Sequence, residues 1–306
     1  MDNNFYINTI WVHNGVFHSD DVSAVALAQM AFSNCKYRRV NKLPEGFDTE
    51  SAAGEIAVDI GGGRFDHHQV DVPKRDDGRT HCGVSRLWSE FGKELTKNII
   101  KNLTYAELSD SEAEKMSNAF DKEVLSTVAA VDNGEIHITD REFDFPAMVK
   151  NFNPNWDENI APNKAFERAV NFTKTVFTSI FMRLYSGIKA ENIIRNSIDN
   201  VPPEKREIIV LEAYMPWFSL TKYPEPKMVI YPTKDGLWNV QPIEDSNNRK
   251  RRAEFPQEWL GYNANSGAEE PVKGLKFCHR NGFLAAFDTK EAAKDAARII
   301  VPENSN

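Results

Sequence analysis

The chain has 306 residues, of which 41% are hydrophobic, and its formal net charge at pH 7 is -8. This length predicts two domains, and the acidic balance argues against a surface that binds nucleic acid through bulk positive charge. Three widely separated cysteines argue against a disulfide framework and favour a reducing compartment. Because no apolar run reaches the roughly 20 residues that cross a bilayer, and no basic leader is visible, we expect a cytoplasmic protein without a membrane span.

The first part of the chain alternates short apolar runs with helical patterns. The sequence predicts a strand over 9–12, a helix over 22–30, and strands over 37–40 and 55–59. This order favours an α/β domain with a mostly parallel sheet flanked by helices, in which ligands bind at the carboxyl ends of the strands. His13 and Asp59 both lie at such ends.

The remaining elements suggest where the first domain ends. Helical patterns cover 83–100, 111–131 and 165–184, and a charged, proline-rich segment at 200–205 is typical of a linker. Beyond it, we predict strands over 208–211, 228–231, 237–241 and 283–287 and a helix over 290–300. We therefore predict a first domain over 1–198 and a smaller α+β domain over 207–306.

Histidines and aspartates crowd the first half of the chain. Five of the seven histidines fall within the first 81 residues, and His18 with Asp20 and the triplet Asp66-His67-His68 pair imidazoles with carboxylates. Both groups are good ligands for divalent cations, and strand ends allow distant segments to converge. Taken singly, Asp20 is equally well a helix cap, and Asp132 in Asp-Asn-Gly is equally well a turn residue. The combination favours a metal site.

Several ordered motifs carry a family resemblance. They are His13-Asn14-Gly15-Val16-Phe17-His18-Ser19-Asp20, Val58-Asp59-Ile60-Gly61-Gly62, Asp66-His67-His68-Gln69, Ala130-Val131-Asp132-Asn133-Gly134, Asn153-Pro154-Asn155-Trp156, and Gly274 to His279 with Gly282-Phe283. The series resembles the Myg-type exonucleases of the DHH phosphoesterase superfamily and spans nearly the whole chain. His18 stands where the wider superfamily has an aspartate, a change that the Myg-type branch shares.

This resemblance implies a DHH-type catalytic domain, a C-terminal domain that helps to hold substrate, and 3′-to-5′ exonuclease activity on RNA. It implies two divalent metal ions, manganese in this family. Carried over by position, one ion would be held by His13, His18 and Asp59 and the other by Asp20, Asp59, His67 and Asp132, with Asp59 bridging. Histidine ligands also favour manganese over magnesium on chemical grounds, while magnesium and zinc stay open.

Charge and position suggest roles for the neighbouring groups. Two divalent cations, three ligand aspartates and a bridging hydroxide sum to zero charge, so a phosphodiester could approach without strong repulsion. We assign catalytic roles to Asp59, as the shared ligand, and to His68, whose imidazole would contact the substrate phosphate or leaving group. The alternative for His68 is a packing role beside the ligands. Asp66 is expected to orient a neighbouring histidine, and Asp21 to serve the helix.

Candidate substrate contacts lie in the C-terminal part. The basic run that includes Arg251 and Arg252 is either a solvated loop or a clamp for a nucleic acid backbone, and we take these two arginines as substrate-binding candidates. His279 and Gly282 resemble the substrate-binding loop of the family, and we include them with the arginines.

Three functions remain open on sequence. The first is a 3′-to-5′ exonuclease that acts on single-stranded RNA through two metal ions. The second is a hydrolase of small phosphorylated substrates, such as short oligonucleotides, nucleoside bisphosphates or pyrophosphate, which the acidic net charge suits. The third is a non-catalytic metal-binding regulator. The expected partner is single-stranded RNA or a short oligonucleotide, no membrane partner is expected, and a homodimer is left open.

Overall fold

The structure is a computed structural model that describes residues 5–137 and 144–302. The chain divides into two compact units, the first ending at Ser186 and the second beginning at Gly187. The domain limits predicted from the sequence, 1–198 and 207–306, stay predictions. No helix within the described ranges is long and apolar enough to cross a membrane.

The first unit contains a three-stranded parallel sheet of β1 (Ile7–His13), β2 (Lys36–Val40) and β3 (Gly54–Ala57) in the order β2-β1-β3. The central strand β1 has fully buried apolar side chains at Ile10 and Val12, which lie on one face, while Trp11 on the other face is partly buried. All three strands run in the same direction, so their carboxyl ends meet at one edge. The predicted α/β class with a parallel sheet is confirmed.

Helix α1 (Ser19–Ala31) follows β1 and is buried on nearly all sides, in agreement with its small and apolar composition. It packs against α2 (Gly83–Thr104), whose apolar residues lie on one face. Helix α3 (Asp110–Phe120) begins with a capping box, in which the Ser109 hydroxyl accepts from the Glu112 N–H and Glu112 accepts from the Ser109 N–H. These helices match the sequence prediction in type, with ends shifted by a few residues.

The helix predicted over 111–131 has an irregularity that the sequence does not reveal. The chain runs from α3 into a π-helical turn, Asp121–Leu125, and then into α4 (Ser126–Asp132). A π-turn contains one residue more than an α-turn, so side chains on the two sides of it are rotated relative to a continuous α-helix.

Two further helices complete the helical elements before the second sheet. They are α5 (Phe145–Lys150), capped by the Asp144 carboxylate, and α6 (Pro162–Asp199). The sequence predicts this helix only over 165–184. The structure continues through Gly187, where a β-carbon would meet nothing within 4 Å, so this glycine only lowers the local helix propensity.

The second unit has a five-stranded mixed sheet in the order β4-β5-β6-β8-β7. Its strands are β4 (Ile208–Val210), β5 (Met228–Pro232), β6 (Trp238–Pro242), β7 (Leu275–Cys278) and β8 (Ala285–Phe287), and only the β4–β5 pair is parallel. Helix α7 (Lys290–Ile300) covers this sheet through a row of alanines and begins at the Thr289 cap. Strand β7 was not predicted from the sequence, because it has only four residues and a bulge that interrupts its alternation.

Candidate metal centre

The carboxyl edge of the parallel sheet gathers histidines and aspartates from five segments. His13 ends β1, Asp59 follows β3, and Asp132 ends α4. Ligand atoms that lie within 4.8 Å of one another define three overlapping groups: His13, His18 and Asp59; Asp59, His67 and His68; and Asp20, His67 and Asp132. The structure therefore brings together all the side chains that the sequence analysis proposed as ligands. That they bind metal stays a proposal.

One side of this cluster is buried and centres on His67. The His67 Nε2 atom lies 2.9 Å from Asp132 Oδ2, 3.1 Å from Asp59 Oδ1 and 3.8 Å from Asp20 Oδ2. The side chains of His67, Asp132 and Asp20 are 7%, 6% and 0% exposed, so water screens their charges only weakly. We call Asp20, His67 and Asp132 the buried side.

The other side is open to solvent. His13 Nε2 lies 3.2 Å from Asp59 Oδ2 and 3.4 Å from Asp21 Oδ2, and its ring centroid is 5.7 Å from that of His18. His18 is exposed and His13 is partly exposed. We call His13 and His18 the open side. Asp59 faces both sides, through one oxygen each.

Asp59 adopts an unusual backbone conformation, with φ at +60°. This left-handed region disfavours most side chains, and aspartate and asparagine tolerate it best. The Asp59 N–H donates to the Phe65 carbonyl at 3.0 Å, which fixes the turn after β3. The turn directs the carboxylate into the cluster instead of along the strand.

Neighbouring acceptors fix which nitrogen of His67 carries a proton. The Asn133 Nδ2 atom donates within 3.2 Å to the carbonyls of Thr80, His81 and Ala129, so its amide oxygen must be the atom that faces His67 Nδ1 at 3.2 Å. An oxygen accepts only, and His67 Nδ1 is therefore the donor. In neutral His67 the lone pair is then on Nε2, which points at the three carboxylates.

The same arrangement recurs at two other histidines. His13 Nδ1 lies 2.9 Å from the Asn14 carbonyl, and His68 Nδ1 lies 2.7 Å from Asp66 Oδ1. Both contacts make Nδ1 the donor and leave Nε2 for another partner. Asp66 orients His68, as the sequence suggested, and also accepts from the N–H groups of Gly62 and His68.

Asp20 is held by the amino terminus of α2. Its two oxygens accept from the N–H groups of Gly83 at 2.8 Å and Val84 at 2.6 Å. The close approach requires glycine at position 83, because a β-carbon there would lie 2.9 Å from both Asp20 Oδ2 and the Phe65 carbonyl and 3.0 Å from the Asp59 nitrogen. Sequence reasoning took Gly83 only as a helix start, and nothing in its local pattern marks this role.

Crowded carboxylates shift the pKa values throughout the cluster. Burial, and next the charge of Asp59, raise the pKa of Asp20 well above its usual range, although the backbone donor Val84 opposes this. Burial also acts to raise the pKa of Asp59, but hydrogen bonds from His13 and His67 outweigh it and lower that pKa to about 2. The Asp59 hydrogen bond raises the pKa of His13 to about 9. For His67, desolvation is outweighed by hydrogen bonds to Asp132 and Asp59, which raise its pKa to about 11.

The cluster fits divalent cations. The raised pKa values of His13 and His67 favour their protonated forms, which offset part of the negative charge of the carboxylates, and burial raises the pKa of Asp21 to about 7. The Asp21 Oδ2 atom is buried and accepts no hydrogen bond, while Oδ1 accepts from the His18 and Val22 N–H groups. Asp21 thus serves the helix, as predicted, and also adds negative charge beside His13. A divalent cation that displaced these protons would be met by imidazole Nε2 atoms and carboxylate oxygens, both of which are good ligands.

In the second unit, three of the four substrate candidates lie together. The Arg251 Nη1 atom donates to the Asn281 carbonyl at 2.6 Å, and a β-carbon at Gly282 would lie 3.3 Å from that nitrogen. The His279 ring lies 4.0 Å, centroid to centroid, from the ring of Phe283, which is 44% exposed.

Arg252 is placed differently, because its guanidinium is turned into the fold. It donates to the Asp245 carboxylate and to the carbonyls of Thr221, Tyr223 and Pro226. These contacts use four of its five N–H groups and indicate a structural role, so we do not carry Arg252 into the substrate site. The sequence run of four basic residues gave no signal that separates the two arginines.

A family model described as uncharacterised protein family UPF0160, and labelled as the MYG1 exonuclease family, matches residues 9–301. The chain belongs to this family. Similar curated proteins include the MYG1 protein of Saccharomyces cerevisiae (25% identical, covering 95% of this chain and 94% of the relative), the MYG1 protein of Chlamydia trachomatis (26%, 96% and 97%) and the MYG1 exonuclease of Mus musculus (25%, 96% and 85%).

Among solved structures, the chain is similar to exonuclease RecJ bound to manganese, with 15% identity, a TM-score of 0.24, and coverage of 97% of this chain and 90% of that chain. The predicted resemblance to the Myg-type exonucleases is confirmed by the family match.

Proposed function

We propose that this member of the MYG1 exonuclease family is a two-metal phosphodiester hydrolase that removes nucleotides from the 3′ end of single-stranded RNA. One observation supports the proposal above others: Asp59 presents one oxygen to His13 and the other to His67, so a single carboxylate faces both groups of candidate ligands. A shared carboxylate is the feature expected of a dinuclear site. The exonuclease names of relatives agree with this activity.

In this proposal, the residues hold the cations as the sequence suggested. His13, His18 and Asp59 hold one ion, and Asp20, Asp59, His67 and Asp132 hold the other, with manganese expected and magnesium or zinc as alternatives. Bound there, the ions would supply a Lewis acid for phosphoryl oxygens and a nucleophile from water at neutral pH.

His68 acts on the substrate in this proposal. Its side chain is 67% exposed, and Asp66 holds Nδ1 so that Nε2 remains available. A protonated Nε2 can donate to a phosphate oxygen or to the departing ribose oxygen, and the Asp66 carboxylate stabilises the positive charge that this requires. His68 thus needs no coordinating role, although it lies beside His67.

The second unit contributes a substrate surface through Arg251, His279 and Gly282. Arg251 supplies positive charge for a phosphate, and the stacked pair of His279 and Phe283 offers a partly exposed aromatic face for a base. Because Gly282 has no side chain, it leaves room for the guanidinium of Arg251. We propose that these groups bind the RNA backbone and a base.

Hydrolysis of small phosphorylated substrates is the second candidate. The net charge of -8 favours it, because an acidic surface attracts long polyanions such as RNA only weakly.

A series of substrates assayed with manganese separates RNA cleavage from hydrolysis of small substrates. RNA carrying a label at the 5′ end should shorten one nucleotide at a time, and RNA labelled at the 3′ end should release a labelled mononucleotide first.

Activity confined to dinucleotides, nucleoside bisphosphates or pyrophosphate would contradict the RNA proposal and support the second candidate. Release of no product from any of these substrates, with manganese bound, would support the non-catalytic regulator. A DNA strand of the same sequence, assayed in the same way, measures whether the protein prefers RNA to DNA. The cytoplasmic location stays a prediction, and a homodimer stays open.

A further inference from the structure

The segment between β1 and α1, residues 14–18, carries His18 and lies next to His13. Its first residue is tied to the sheet, because the Asn14 N–H donates to the Val40 carbonyl at 2.9 Å, and its last is tied to α1, because the His18 N–H donates to Asp21. Between them, Gly15 has a φ of +91° and Val16 is 66% exposed. The middle of this segment therefore needs support from elsewhere in the chain.

Asn153 supplies this support across 136 residues of sequence. The Phe17 N–H donates to Asn153 Oδ1 at 3.0 Å, and Asn153 Nδ2 donates to the Phe17 carbonyl at 2.9 Å. One side-chain amide thus satisfies both backbone groups of Phe17, as a neighbouring strand would. A side-chain amide suits this paired contact because its donor and its acceptor lie side by side on one planar group.

Asn153 is itself held in place. Its Nδ2 atom also donates to the Lys150 carbonyl at 3.1 Å, and its backbone N–H donates to the same carbonyl at 3.1 Å. Lys150 is the last residue of α5, so the amide is anchored to the end of a capped helix. The contact with Phe17 is therefore made from a fixed point.

Arg39 supports the same segment through a different contact. Its Nη2 atom donates to the Gly15 carbonyl at 2.7 Å, and its guanidinium carbon lies 4.5 Å from the centre of the Phe166 ring and 5.5 Å from that of Phe17. The Phe17 ring also packs edge-on against Phe166, with centroids 5.4 Å apart. Backbone and side chain of Phe17 are thus both held, one residue before His18.

From these contacts we infer that Asn153 is a positioning residue for the open side of the metal centre: by holding the Phe17 backbone it sets where His18 lies relative to His13 and Asp59. This inference rests on the proposed metal centre. The buried side does not depend on Asn153, because Asp20 is held by the α2 amides and His67 by Asn133. Replacing Asn153 is therefore expected to lower the affinity for the ion on the open side and to leave the affinity for the other ion unchanged.

The test measures Mn²⁺ binding to the chelator-stripped full-length chain by calorimetry, with free Mn²⁺ followed by electron paramagnetic resonance. Wild-type protein should bind two ions. The variants are Asn153→Ala and the milder Asn153→Asp, which keeps the acceptor but loses the donor. In both, we expect one Mn²⁺ ion to bind with wild-type affinity and the other to bind roughly 10- to 100-fold more weakly. His18→Ala, which removes a proposed ligand, should show the same pattern more strongly.

Asn155→Ala is the matched control, since Asn155 is an exposed asparagine two residues after Asn153, and its backbone N–H, not its side chain, donates to Glu158. It should bind both ions as wild type does. Thermal unfolding in chelator separates folding defects from site defects, because a general loss of stability weakens both ions together. Arg39→Lys adds an independent variant should Asn153→Ala fail to fold, and it should weaken the same ion.

Two results overturn different parts of the argument. If the Asn153 variants bind both ions with wild-type affinity, or lose both equally, while His18→Ala loses one, the positioning role is wrong and the metal centre stands. If His18→Ala binds both ions as wild type does, or the wild-type chain binds none, the proposed metal centre itself fails.

Discussion

The buried and open sides of the metal centre differ in how their side chains are held. On the buried side, Asp20 accepts hydrogen bonds from the start of α2, His67 donates one to Asn133, and the side chains of Asp20 and His67 are at most 7% exposed. On the open side, His18 is exposed and depends on a short segment between two elements. The comparison shows that the buried side is held by direct hydrogen bonds to its own side chains, whereas the position of His18 on the open side is set through the backbone of the preceding residues.

Asp59→Asn is expected to have the largest effect, because Asp59 belongs to both sides. Asparagine keeps the shape and tolerates the left-handed backbone at φ +60°, so the fold should persist. Affinity for both ions should fall by more than roughly 100-fold and RNA cleavage should drop to background. Mn²⁺ titration and the labelled-RNA assay measure these outcomes, and cleavage at the wild-type rate would remove the central assumption.

Alanine is a poorer choice at this position. It would add a left-handed backbone penalty of about 1–2 kcal/mol to the loss of the carboxylate, so stability and metal binding would change together. Asp59→Ala is useful only as the companion that measures this strain, through the difference in unfolding free energy between the two variants in chelator.

Gly83→Ala tests how tightly the buried side is packed. The added methyl would lie 2.9 Å from the Phe65 carbonyl, which cannot move without shifting the turn that carries Asp59. We expect a loss of about 1–3 kcal/mol in the free energy of unfolding, measured by denaturant titration in chelator. The loss should be accompanied by weaker Mn²⁺ binding on the buried side.

Gly187→Ala is the matched control for this change. Gly187 lies inside α6, and a β-carbon there meets nothing within 4 Å, so alanine should stabilise the protein by roughly 0.5–1 kcal/mol. If both substitutions changed the free energy of unfolding equally, the close packing of Gly83 against the metal centre would not contribute to stability.

Asn133→Ala should have a smaller effect, confined to one ligand. Without the amide, His67 loses the acceptor that keeps its proton on Nδ1, and the ion on the buried side should bind roughly 10- to 100-fold more weakly. The Thr80 and His81 carbonyls also lose a donor, so some stability is lost. Calorimetry should show that the open-side ion still binds with wild-type affinity, which is the opposite of the pattern expected for the Asn153 variants. Weaker binding of the open-side ion would contradict the proposed difference between the two sides.

Much of the fold was predictable because its signals are local. The buried character of α1, the Thr289 start of α7 and the strand that ends at His13 each follow from a few neighbouring residues. The elements that escaped prediction depend on tertiary context: β7 is short and bulged, α6 passes through a glycine, and the turn at 121–125 departs from α-geometry inside an apolar helical pattern.

The candidate site shows the same division. The aspartates and histidines were recognisable because their chemistry and their positions at element ends stand out in the sequence. The residues that hold them did not stand out, since Gly83, Asn133 and Asn153 act through contacts with residues 63 to 136 positions away in the sequence. Two of them lie within motifs quoted for the family resemblance, which was the available signal, but their roles required coordinates.

The π-helical turn at Asp121–Leu125 helps to set where the Asp132 side chain points. Each residue in an α-helix advances the chain by about 1.5 Å and about 100° of rotation, and a π-turn accommodates one residue more. If all the residues from Asp110 to Asp132 formed a regular α-helix, Asp132 would be rotated about the helix axis away from the position that it has beside His67. The wider turn therefore contributes to the candidate metal centre, although none of its five residues belongs to the candidate ligand groups.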